Sequence, residues 1–453
     1  MEATAAMTER LINLVVPLAH EANDMRSTET VGSRRVRSGA VTPLRIRPGD
    51  VESTTGTPTP GIRTSTTATR TTTTRATTTA VPGPSADCHD APSFAELVNA
   101  YFDCRRTKRN SASALAFETH LEHNLRQLYD ELIDGSYAPG RSICFVITHP
   151  KPREVWAAEF RDRIVHHLLH NRIAPRFYAR FIADSCACIP GRGTLYAAQR
   201  LEAKVRSITH NWSRPAYYLK LDLANFFVSI DKPILRDLLA RHINEPWWMA
   251  LAETILFHDP RLNYAQHGNP ALIERVPPHK RLTSHPAQKG LPIGNLSSQF
   301  FANVYLDELD QFVKHRIGAR HYVRYVDDFV LLHESPQWLN DAKAQISDFL
   351  QHRLSARLND RKTILQPIDT GIDFVGQVIK PWRRITRRKT TNNAFARVNT
   401  IEPDELFETA NSYFGLFRQA DASHHDRARL ANILRKRGHC IKSDLTKTYR
   451  RSA

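Results

Sequence analysis

Tyr322-Val323-Arg324-Tyr325-Val326-Asp327-Asp328-Phe329-Val330-Leu331-Leu332 is the stretch from which the rest of the chain is read. Two runs rich in β-branched and aromatic residues flank an acidic pair, which predicts a β-hairpin from His321 to Leu332 with Val326-Asp327-Asp328 as its turn. Adjacent carboxylates at a hairpin tip repel each other. A surface Asp-Asp turn is the plain explanation, but apolar strands on both sides make it the weaker one. A divalent cation beside the tip resolves the repulsion.

Working outward, Tyr217-Tyr218-Leu219-Lys220-Leu221-Asp222 reads as a strand that ends in a third carboxylate. A turn at Ala224-Asn225 and the aromatic Phe227 follow. Mg²⁺ takes hard oxygen ligands, usually one or two carboxylates plus substrate phosphates, so Asp222 with Asp327 and Asp328 supplies what a two-metal site needs. Asp231 reads instead as a helix N-cap before Pro233. Phe94–Phe102, Leu115–Leu132 and Phe160–Ile173 carry apolar residues at helical spacing, and Leu296–Val313 does so most strongly. Cys144–Ile147 and Phe374–Ile379 read as strands, and the chain after Trp382 is basic and mostly helical in pattern. Alternating strands and helices imply an α+β centre flanked by helical parts.

The chain has 453 residues, room for several domains with sizeable cores, and a formal net charge of +17. Such a balance favours an anionic partner, nucleic acid being the commonest. Cys88, Cys104, Cys144, Cys186, Cys188 and Cys440 form no zinc-finger spacing and read as structural thiols. Met1–Asp24 lacks a basic start followed by an apolar run, and no stretch approaches a membrane span, so a cytoplasmic protein with no membrane partner is expected. Residues 1–90 are expected to hold a short helix (Met7–Asn23) and a disordered Thr/Arg-rich tail, because Arg26–Pro84 has too little apolar surface to offset ordering.

Taken together and in this order, these motifs resemble those of the reverse transcriptases, from about Tyr101 to the C-terminus. Tyr325-Val326-Asp327-Asp328 resembles the family's YxDD motif. Asp222–Phe227 resembles its first catalytic motif, and the resemblance makes Phe227 a steric gate against the ribose 2′-hydroxyl. It implies a metal site of Asp222, Asp327, Asp328 and Leu223 that holds two Mg²⁺ ions, or Mn²⁺. Lys151, Arg153, Arg161 and Arg163 resemble the segment that clamps the incoming triphosphate, a task suited to bidentate cationic donors. The alternative for Arg161 and Arg163 is ion pairing with Asp162 or Glu159. Leu291–Gln299 resembles the template and dNTP loop, with Gly294, Asn295 and Ser298 toward template or primer and Gln299 toward dNTP. Lys362 resembles the lysine that faces the triphosphate, and Gly376 sits in a segment like the primer-grip hairpin.

The resemblance implies a right-hand polymerase: fingers over 91–212, a palm with antiparallel sheet over 213–380, and a basic helical thumb over 381–453. It implies an RNA template such as a cognate non-coding RNA, a DNA primer or product, dNTPs, and an accessory protein or second copy as partners. Many retroviral and intron-type enzymes carry Ser-Pro where this chain has Ser298-Gln299. The Ser-Gln form resembles diversity-generating retroelement enzymes and related bacterial reverse transcriptases, including antiphage-defence types. Two alternatives stay open: the mutagenic enzyme of a diversity-generating retroelement, and a non-catalytic, maturase-like RNA-binding protein.

Overall fold

A computed structural model describes residues 90–106, 111–148 and 151–449. Of the residues 1–90 expected to hold a helix and tail, all but Asp90 lie outside the described residues. The strands are β1 Ser142–Ile147, β2 Arg153–Ala157, β3 Tyr217–Asp222, β4 Tyr264–Gln266, β5 His321–Tyr325, β6 Asp328–His333, β7 Ile364–Pro367, β8 Ile372–Phe374, β9 Gln377–Lys380, β10 Arg383–Thr386, β11 Cys440–Ile441 and β12 Thr448–Tyr449. The central sheet runs β5-β6-β3-β7, and every pair in it is antiparallel. Smaller sheets run β2-β1-β4 and β10-β9-β8.

Side chains alternate between the faces of a strand, so each face of the central sheet needs its own cover. Leu219, Leu221, Phe329 and Leu331 share a core with Phe300, Phe301, Tyr305 and Leu309 of the Leu296–Gln311 helix. Tyr218, Val330 and Leu332 face the other way, against Ala197, Leu201 and Val205 of the Thr194–Ile208 helix. Each large side chain so buried contributes about 1.5–3 kcal/mol. With both faces covered, the acidic residues lie at one end of the sheet, at the end of β3 and in and beside the β5–β6 loop.

Local signals set several element ends. Asp231 Oδ1 accepts from the Ile234 N–H and caps the Lys232–Ala240 helix, as its position before Pro233 predicts. The strand Cys144–Ile147 and the helix from Phe160 form as expected. Other readings are corrected. Leu115–Leu132 is two helices, Ala112–Glu118 and Leu121–Ile133. Phe374–Ile379 is the middle of a hairpin, β8–β9, not one strand. After Trp382 the chain first makes β10, then the helices Arg388–Thr400, Pro403–Phe417 and His424–Lys436, which bury Phe395, Phe414, Phe417 and Leu434 in a core of their own. Cys104, Cys144 and Cys186 are buried, but Cys188 and Cys440 are exposed. Among the described residues, no helix is long and apolar enough to cross a membrane.

Candidate active site

Register brings the carboxylates together. Asp222 closes β3 directly opposite Asp328, the first residue of β6. Tyr325 pairs with Asp328 across the β5–β6 hairpin, so the loop is only Val326-Asp327. Asp328 is therefore a strand residue and not part of the turn the sequence suggested. Val326 takes φ +56°, a left-handed conformation that a two-residue hairpin loop demands and a β-branched residue resists. The Leu223 N–H donates to the Asp327 carbonyl at 3.2 Å, which ties the loop to the end of β3.

Like charges facing each other across strands destabilise a sheet. Here the chain offsets them with cations. Lys362 Nζ lies 2.7 and 2.6 Å from the two carboxylate oxygens of Asp222, and Asn359 Nδ2 donates to Oδ2 at 3.1 Å. Lys220 reaches from the same face of β3, with Nζ 3.9 Å from Asp328 Oδ2 and 2.9 Å from the Asp373 carbonyl. The compensation is partial. Burial, opposed by Lys220 and reinforced by Asp222 and Asp327, pushes the Asp328 carboxyl up to about 6. Burial and then the Asp222 charge also raise Asp327, against the pull of Lys362 and Arg153.

The donor set fits a divalent cation. Asp222 lies close enough to Asp327 and Asp328 to raise their proton affinity, the condition that an added ion relieves. No three His, Cys, Asp or Glu side chains form a ready-made cage among the described residues. Mg²⁺ is bound through one or two carboxylates, with water and phosphate oxygens completing its shell.

The remaining expected site residues divide. Lys151 and Arg153 are exposed, and the Arg153 charge reaches Asp327. Phe227 is half-buried in the short Phe226–Ser229 helix, edge-on to Phe226 at 5.4 Å, and its carbonyl accepts from the Leu291 N–H at 2.8 Å. That bond joins the first acidic motif to the Leu291–Gln299 loop. Arg161 is taken up by Glu131, stacks over Tyr137 and lies 3.9 Å from Asp162. Arg163 Nε donates to the Ala158 carbonyl at 2.7 Å. These two arginines are thus engaged within the protein.

Gly294 and Asn295 serve the loop's attachment to β2. Trp156 N–H donates to the Ile293 carbonyl at 2.8 Å, and Asn295 Oδ1 accepts from the Ala158 N–H at 3.0 Å. Ser298 is buried and Gln299 exposed on the first turn of the following helix. Gly376 and Val375 both take positive φ in the two-residue loop between β8 and β9, the backbone of the favoured hairpin turn. Sequence reasoning missed Lys220 as a countercharge. It also missed Arg324 and Asp310, an ion pair buried directly behind the hairpin loop.

Beneath the Leu291–Gln299 loop, a small cavity is lined by Asp162, His166, His258, Asn295 and Ser297. Burial, and then the charges of His258, His167 and Arg163, push the His166 imidazole down to about 3. The folded state excludes a proton that the unfolded chain takes up near the usual histidine value of about 6.5. The contribution is therefore complete above about pH 6.5 and is lost as pH falls toward 3. Urea titrations across that window should show His166→Gln losing about 1.4 kcal/mol per pH unit less than wild type. Equal slopes would mean that His166 is protonated in the fold.

A four-stranded antiparallel sheet with carboxylates at one end and helices on its faces is an α+β, polymerase-like fold. The chain belongs to the reverse transcriptase (RNA-dependent DNA polymerase) family, which matches residues 149–379. It is 22% identical over 333 residues to protein YkfC of Escherichia coli K12, covering 66% of this chain and 81% of that one. It is 23% identical over 295 residues to nuclear intron maturase 1, mitochondrial, of Arabidopsis thaliana, covering 49% of this chain but 40% of the maturase. Similar solved structures include telomerase from Candida albicans with a fragment of telomeric RNA (TM-score 0.40, 11% identity, 65% of this chain and 55% of that one). Apo telomerase from Candida tropicalis, truncated from its C-terminal domain, gives TM-score 0.39 at 12% identity over 53% of each chain. The chain spans about half the length of these telomerases.

Proposed function

We propose that the chain extends a DNA primer on an RNA template with dNTPs, by phosphoryl transfer at Asp222, Asp327 and Asp328. The observation that carries this reading is the register: Asp222 stands opposite Asp328, with Asp327 in the adjoining loop. These carboxylates, with the Leu223 backbone, would hold two Mg²⁺ or Mn²⁺ ions. When bound, such ions lower the charge barrier between a primer 3′-hydroxyl and the triphosphate and stabilise the departing pyrophosphate. Lys151 and Arg153 meet the incoming triphosphate from β2 and the segment before it. Lys362 then moves from Asp222 to the phosphates, where its ammonium can give a proton to pyrophosphate.

In this reading residues 91–212 are fingers, 213–380 palm and 381–453 thumb. Gln299 faces the nucleotide, while Ser298 and Gly376 support the loops that flank template and primer. The Ser298-Gln299 pair supports a bacterial retroelement or antiphage-defence setting with a cognate RNA. Sequencing the nucleic acid that copurifies with the protein tests this, and a random pool would remove it. Similarity to the plant maturase supports a second reading, RNA binding without catalysis.

Primer extension on RNA with Mg²⁺ separates the two. Wild-type incorporation of dNTPs supports polymerase chemistry, and tight RNA binding without incorporation supports the maturase-like reading. Phe227 provides a finer test. Its short helix is bonded to the Leu291 N–H, which would hold the ring where a ribose 2′-hydroxyl would arrive. Phe227→Ala should raise ribonucleotide incorporation at least about tenfold relative to dNTPs, as loss of a steric contact worth 1–3 kcal/mol does. Unchanged sugar selectivity would make Phe227 only a packing residue.

A further inference from the structure

Arg324 is 1% exposed and Asp310 is fully buried. Nε and Nη2 of Arg324 donate to the two Asp310 oxygens at 2.8 and 2.6 Å, and Tyr322 donates its hydroxyl to Asp310 Oδ1 at 2.7 Å. Nη2 also donates to Ser185 Oγ at 2.8 Å, and Nη1 to Asn303 Oδ1 at 3.2 Å. The last bond runs forward: Nη1 donates to the Val326 carbonyl at 3.1 Å. Val326 is the loop residue forced into left-handed backbone, and Asp327 follows it.

Burying a charge pair is costly, and well-packed apolar residues of the same volume would serve the core as well. An apolar pair could not grip the Val326 carbonyl. A guanidinium clamped by a carboxylate presents its remaining N–H groups in a fixed direction, here at the loop. The loop needs such a hold for two reasons: a β-branched residue resists positive φ, and the carboxylates at the tip repel one another. The Leu296–Gln311 helix that carries Asp310 and Asn303 is packed into the main core, so the clamp ties the loop to that core.

We infer that Arg324, locked by Asp310, is a positioning residue: it pins the Val326 carbonyl and thereby sets where the Asp327 carboxylate points. This rests on the polymerase reading for its effect on catalysis, but not for its effect on the loop. Arg324→Lys keeps a cation beside Asp310, yet one nitrogen cannot hold both the carboxylate and the Val326 carbonyl. A loop displaced on the scale of an ångström costs up to about a hundredfold in rate. In the full-length protein, Arg324→Lys should lower kcat of primer extension roughly tenfold to a hundredfold and leave the dNTP KM within about twofold.

Adding Val326→Gly removes the backbone strain that the clamp opposes, so the double variant should recover most of the lost kcat. Mn²⁺ binding to nucleotide-free protein, read by the EPR signal of free Mn²⁺, should follow the same order: weakened in Arg324→Lys, restored with Val326→Gly. If Arg324→Lys fails to unfold cooperatively, the apolar pair Arg324→Met with Asp310→Leu takes its place, with the same loss and the same rescue expected. Unchanged kcat and Mn²⁺ binding, or a loss that Val326→Gly does not relieve, would overturn the inference and leave Arg324 as core structure. Wild type that binds Mn²⁺ but extends no primer would instead sink the polymerase reading, with the Mn²⁺ order still deciding the role of Arg324.

Discussion

Replacing both Asp327 and Asp328 by alanine should slow primer extension by roughly a thousandfold or more, because each carboxylate lost removes several kcal/mol of transition-state stabilisation. The protein should not unfold. The two carboxyls are raised by burial and by Asp222, so they are held at a cost to the fold, and removing them relieves repulsion. Thermal unfolding of the double variant should match or exceed wild type while activity is lost. Asp222→Asn should do the same to activity and leave Lys362 without its anionic partner. Retained activity in the double variant would end the assignment of this site.

Gly294→Ala should destabilise the protein by about 2–4 kcal/mol, a large effect for one methyl group. Gly294 has φ +134°, and an added Cβ would lie 2.8 Å from the Trp156 carbonyl and 2.9 Å from Val155 Cγ1. The first obstacle is strand backbone and cannot move aside. Gly376→Ala is the control. Its φ is +85°, but nothing lies within 4 Å of the added atom, so only the backbone cost of about 1–2 kcal/mol remains. Denaturant midpoints compare the two, and equal costs would show that contact with β2 does not hold the Leu291–Gln299 loop.

The Gly294 comparison marks the boundary of what the sequence could say. The Leu291–Gln299 motif resembles a template loop, and local spacing does not show that its Gly294 backbone lies against β2 of the same chain. Arg161 and Arg163 had the right chemistry for a triphosphate, yet Glu131 and the Ala158 carbonyl engage them. An arginine's partner is set by tertiary distance, and no local spacing reports it. Asp310 lies in the Leu296–Gln311 helix and Arg324 in β5. Their burial as a pair became visible only when the helix lay against the hairpin.

By itself the sequence determined the hairpin that carries Asp327, the strand that ends at Asp222, and the α+β alternation, because apolar periodicity and acidic punctuation act over a few residues. Only the tertiary structure decided that Asp328 belongs to the strand and faces Asp222, that Lys362 and Lys220 answer their charges, and that Arg324 grips the loop. These are matters of register and long-range packing, where a one-residue shift turns every side chain to the opposite face.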